Sequence, residues 1–137
     1  MTKIGWLRLS YWIGAIADLI VGIAMVYPKF LALALRLEEP PLAIETRCAL
    51  GIGASLMFGW TALLLWADRK PLERKGVLVL TVAVILGLAF TILYGFLGGY
   101  IPLASAVSVW VFQTFLTVLF LSAYSLATKK KAETMRK

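Results

Sequence analysis

Long apolar runs separated by short polar breaks organise the whole chain. Windows of about 19 residues pick out four such runs, at 7–27, 47–67, 76–97 and 105–127, each rich in Leu, Val, Ile, Ala and aromatic residues. A helix rises about 1.5 Å per residue, so each run can cross a hydrocarbon core about 30 Å thick. The breaks have local causes. Pro28 follows the first run, Asp68-Arg69-Lys70-Pro71 the second, and Gly98-Gly99 with Pro102 the third; each is charged or cannot continue a helix. The expected fold is therefore all-α: one integral membrane domain over residues 1–137, a four-helix transmembrane bundle crossing up-down-up-down.

Two segments fall outside the spans. The first outer loop is too apolar to be simply solvated. Its stretch from Phe30 to Leu37 is expected to form a short interfacial helix, stopped by Glu38-Glu39-Pro40-Pro41. The tail at 128–137, with Lys129, Lys130, Lys131, Arg136 and Lys137, is too charged to enter hydrocarbon and is expected to be a frayed, solvated, basic cytoplasmic end. The first run exceeds the apolar length of a signal peptide, carries Asp18 and lacks an A-x-A-like cleavage site, so it is expected to be a retained span.

Composition supports a membrane protein and excludes much else. Apolar residues make up 61% of the 137 residues and charged ones 15%, against about 45–50% and about 25% in soluble domains. The chain has no His and no Asn, and Cys48 is its single cysteine. An internal disulfide is impossible, and the usual haem and zinc ligand sets are missing. Without His there is no hydrolytic triad, and no glycine-rich phosphate loop follows a strand. The expectation is a non-enzymatic protein with no cofactor and no metal.

The net charge of +7 comes from residues at the span ends. Lys3, Arg8, Arg69, Lys70, Arg74, Lys75 and the five tail bases fall on one side, and Lys29, Arg36 and Arg47 on the other. By the positive-inside rule the first side, with both termini, is cytoplasmic, in an inner or plasma membrane. Anionic lipid headgroups account for that basic rim, and nucleic acid is not an expected partner. Trp6 and Trp66 suit an inner aromatic belt, Tyr27 and Tyr100 an outer one.

Small residues recur with period four in three spans: Gly14-x3-Asp18-x3-Gly22, Gly51-x3-Ser55-x3-Gly59 and Gly87-x3-Thr91-x3-Gly95. Such ridges let helices approach closely, inside one bundle or across a homodimer or partner subunit. The fourth span carries Trp110, Phe112, Phe115 and Phe120 instead, and is expected to fill space with bulk.

Asp18 is the most informative single residue, because a carboxylate facing lipid at mid-span costs at least about 2.5–3.5 kcal/mol. It should face the bundle. Counting from the cytoplasmic end puts it at the depth of Ser55 and near Gln113 and Thr117. None is a cation, so Asp18 is expected to carry its proton within this polar cluster, as a structural carboxyl or as a ligand or proton site. At the outer face, Arg36, Glu45 and Arg47 form either local ion pairs or a polar entrance to Asp18. Glu45 suits the N-terminal end of the second span's dipole. Cys48 is expected to serve packing.

Two family resemblances rest on particular stretches. Tyr11-Trp12-Ile13-Gly14-Ala15-Ile16-Ala17-Asp18 resembles the first helix of small multidrug resistance exporters, which implies a proton-linked acid at Asp18. This chain has Asp where that family has Glu, a longer outer loop and a more charged second loop. Over its whole length, with Glu45-Thr46-Arg47-Cys48-Ala49-Leu50-Gly51 leading into the second span, the chain resembles small four-helix DoxX-like bacterial membrane proteins. Their functions are mostly undefined, and some resemble accessory subunits of membrane redox complexes. The leading expectation is an accessory or scaffold subunit; the alternative is a proton-linked transporter or binder of small hydrophobic molecules.

Overall fold

The computed structural model describes residues 2–36 and 43–134, with side-chain surroundings through Thr128. Every regular element among them is helical: α1 (Lys3–Val26), α2 (Pro28–Leu35), α3 (Ile44–Asp68), α4 (Gly76–Leu97) and α5 (Leu103–Thr134). α1, α3, α4 and the Leu103–Thr128 part of α5 are each long and apolar enough to span a membrane.

The helix limits follow from local chemistry. Thr2 caps α1, its hydroxyl accepting from the Gly5 N–H at 3.2 Å, so the helix begins four residues before the apolar run. Pro28 occupies the first turn of α2, where its missing N–H costs nothing. α2 ends at Leu35 and is capped by Arg36 in the left-handed region with φ 53°, two residues before the expected end at Leu37; Leu37 to Leu42 lie outside the described residues. Gly99, at φ 74°, closes the end of α4, donating from its N–H to the Phe96 carbonyl at 3.0 Å. α5 continues to Thr134, so the expected frayed tail is helical through residue 134. Lys and Ala favour helix and nothing there breaks it, so the loss of hydrophobicity at Lys129 does not stop the backbone.

Contacts between helices fix their register. Thr61 Oγ1 lies 3.4 Å from the Ala15 carbonyl, Phe58 covers Gly22, Leu64 covers Gly14 and Met25 covers Gly53, so α1 and α3 run antiparallel. Phe120 also reaches Gly14, which seats α5 on the same helix. α5 is fastened to α4 by the Trp110 Nε1–H, 3.4 Å from the Ala89 carbonyl, and by the edge-on Phe96–Trp110 pair. α3 meets α4 through Trp60, whose indole N–H donates to Thr81 Oγ1 at 3.1 Å. α2 folds back toward α5, where Ser105 Oγ donates to the Leu35 carbonyl at 2.9 Å.

The core is unevenly distributed. Of the apolar residues at most 1% exposed, Ala106 lies near the start of α5, and Leu7, Tyr11, Leu64, Ala67, Leu78, Phe120 and Ala123 lie toward the opposite end, which holds the turn at 69–75. We call this the basic end. Beyond Ala17, Ile85 and Leu116 the continuous apolar cluster stops.

Candidate functional site

Asp18 projects from α1 one residue past the limit of the sealed core and is half-buried. Its Oδ2 is buried without a hydrogen-bond partner, and so is Oε1 of Gln113 on α5. With Gly14 seated on Phe120, Asp18 lies opposite position 116 of the antiparallel α5, and Gln113 about 4.5 Å farther along the axis. Thr117 stands at nearly the depth of Asp18, but its hydroxyl is engaged on its own helix, donating to the Gln113 carbonyl at 2.8 Å. By this register Asp18, Gln113 and Thr117 fall within about one helical turn of one another in depth, with no hydrogen bond between their side chains among the described residues.

Ser55 does not join them. It is exposed and donates to the Gly51 carbonyl at 3.0 Å. The register places Asp18 opposite positions 60 and 61 of α3, about 8 Å from Ser55 along the axis. Counting from a shared end misplaces it because the first turns of α1 run past the end of α3 and pack beside the turn at 69–75.

The outer residues are less organised. Glu45 lies in the first turn of α3, as its charge favours. Arg36, Glu45 and Arg47 are all exposed, and among the described residues none is in an ion pair; Glu38 and Glu39 lie outside them. No group of His, Cys, Asp and Glu among the described residues could hold a metal ion.

The small-residue ridges divide in two. On α1 the ridge is used internally: a Cβ at Gly22 would lie 2.6 Å from Phe58, and one at Gly14 2.9 Å from Phe120. Cβ atoms at Gly51, Gly59 and Gly87 would meet no described neighbour within 4 Å. At about 100° per residue, Gly51, Gly59 and Cys48 lie within about 40° of Ser55. The buried Met57 and Leu64 lie more than about 150° from it. The α3 ridge therefore faces directly away from the bundle.

The best-built polar network was not anticipated. Tyr11, 0% exposed, directs its hydroxyl at the carbonyls of Arg74 and Pro71, at 3.1 and 3.4 Å. Arg74 donates to the Trp66 carbonyl and stacks on the Trp66 ring, 3.3 Å from its centroid. Lys75 donates to Thr128 Oγ1 at 3.3 Å and lies over Tyr124. The available signal was the spacing of Leu7, Tyr11 and Gly14, which puts a phenol on the core face of α1 one turn from a turn with free carbonyls.

Comparison with family models, curated proteins and solved structures gives no match to this chain. Its class rests on the fold itself: a helical bundle with four helices able to span a membrane, hence a multi-pass membrane protein.

Proposed function

We propose that this chain is a small non-enzymatic accessory or scaffold subunit of a membrane complex. In this reading the helices cross up-down-up-down, the basic end and both termini are cytoplasmic, and α2 lies in the outer interface. The carrying observation is the outward ridge Gly51, Ser55, Gly59 on α3, with Gly87 and Thr91 exposed on α4. Lipid tails gain nothing special from glycine, whereas a neighbouring transmembrane helix can pack its backbone closely against it. The partner is a further membrane polypeptide, which includes a second copy of this chain. Native mass measurement in mild detergent tests this. Wild type should emerge bound to another polypeptide, and Gly51→Leu or Gly59→Leu should emerge alone yet folded. A wild-type monomer, or variants that keep the partner, would sink the reading.

A second reading has its own observation: of the three buried side-chain oxygens without a hydrogen-bond partner among the described residues, Asp68 Oδ1 is at the basic end, and the other two are Asp18 Oδ2 and Gln113 Oε1. A protonated Asp18 or a donor-bearing guest would satisfy them, as in a proton-linked transporter or binder of small hydrophobic molecules. Proton uptake by proteoliposomes holding an internal pH dye, driven by a pH gradient, decides it. Uptake lost in Asp18→Asn favours transport; no protein-dependent uptake with any tested hydrophobic substrate excludes it.

A further inference from the structure

A cavity of about 280 Å³ opens at the basic end between the first turns of α1 and the α3–α4 turn, lined by Ile4, Arg8, Lys70, Pro71, Leu72 and Glu73. It lies where the apolar spans end, so its position is that of a lipid headgroup. Its walls match that position: Ile4 and Leu72 are about half exposed, at 46% and 48%, and present apolar surface beside charged groups.

The bases around this end differ in what they already do. Arg74 and Lys75 are spent inside the fold, on Trp66 and on Thr128 and Tyr124. Arg8 and Lys70 are held only by ion pairs, Arg8 to Asp68, whose Oδ1 is buried with no hydrogen-bond partner, and Lys70 to Glu73. Arg8 Nε stands 3.6 Å from Asp68 Oδ1, too far for a hydrogen bond. Lys70 pairs only with the exposed Glu73, at 3.2 Å, and such surface pairs contribute little. Lys70 can therefore turn to a phosphodiester, and Arg8 can keep its Nε toward Asp68 while its Nη groups reach the same phosphate, each making stronger, charge-assisted hydrogen bonds.

Glu73 decides which headgroup fits. The distal glycerol of phosphatidylglycerol offers the Glu73 carboxylate neutral hydroxyls but no positive charge, and a quaternary ammonium has charge but no N–H to offer it. A primary ammonium meets it with hydrogen bonds. We propose that this cavity binds the headgroup of an aminophospholipid such as phosphatidylethanolamine, its phosphate held by Arg8 and Lys70 and its ammonium by Glu73.

The test measures lipid retention by native mass spectrometry on the full-length protein, taken from nanodiscs of phosphatidylcholine doped with either phosphatidylethanolamine or phosphatidylglycerol. Wild type should retain phosphatidylethanolamine about tenfold better than either other lipid, the factor expected for one charge-assisted contact. Lys70→Gln should abolish the preference and Lys70→Arg should keep it, while Glu73→Gln should shift it to phosphatidylglycerol. Lys70 and Glu73 are more than half exposed, so these variants leave the core intact. Equal retention of phosphatidylglycerol by wild type, or an unaltered preference in both Gln variants, would overturn the proposal. So would occupation by soluble phosphoethanolamine as tight as by the lipid, which would assign the site to a free phosphate ester.

Discussion

At the residue scale, the same amino acid has opposite value in different places. Gly22 has Phe58 pressed against it and Gly51 has open space. Ala at position 22 forces the ring or the helix to move and should cost about 1–3 kcal/mol, the usual range for overpacking. Ala at position 51 should change the stability of the isolated chain by no more than about 0.5 kcal/mol, the surface norm. Unfolding in mixed micelles followed by tryptophan fluorescence compares the two, and equal costs would contradict the assignment of inner and outer ridges. Tyr11 is a second such position. Tyr11→Phe keeps the buried ring and deletes the bond to the turn carbonyls, and should lower stability by about 1 kcal/mol in the same assay.

At the element scale, capping residues and interhelical bonds decide how the spans meet. Gly99 holds φ 74° with its N–H on the end of α4. Gly99→Ala adds a Cβ in a left-handed conformation and should cost about 1–2 kcal/mol. Trp60 and Thr81 link α3 to α4, and Thr81 passes the interaction on by donating to the Val77 carbonyl at 2.8 Å. A double-mutant cycle of Trp60→Phe and Thr81→Val should give a coupling of about 0.6 kcal/mol, typical of polar pairs between membrane helices; no coupling would mean that the bond carries nothing. The four spans were legible in the sequence because span length and the Pro and Gly breaks are local properties. Helix register was not. The misplacement of Ser55 arises from how far α1 runs past α3, which depends on Tyr11 reaching the carbonyls of a distant turn. The direction a ridge faces was equally hidden, since the glycines of α1, α3 and α4 share one spacing and only packing separates the covered α1 ridge from the bare α3 ridge and from α4, where Gly87 is open and Gly95 is covered by Ile101.

At the scale of the whole molecule, the two ends do different work. The basic end is sealed by Leu7, Tyr11, Leu64, Leu78 and Phe120 and braced by Arg74 and Lys75. Toward the other end the apolar cluster gives way to Asp18 and Gln113, and α3 begins with exposed Glu45, Arg47 and Cys48. The asymmetry has a physical basis in the charge distribution. Lys and Arg resist transfer across the bilayer, so the orientation proposed above keeps the end that carries most of them on the cytoplasmic side. Two thiol positions can read this arrangement directly. Cys48 is free and exposed near the start of α3, and Leu72 is half exposed in the turn beyond its other end. In sealed right-side-out vesicles, a membrane-impermeant maleimide should label Cys48 without permeabilisation. In the Cys48→Ala, Leu72→Cys protein the same reagent should label only after the vesicles are opened. The reverse pattern would invert the molecule and move the headgroup cavity to the outer leaflet, whereas labelling of both sites in sealed vesicles would mean that α3 does not cross the membrane.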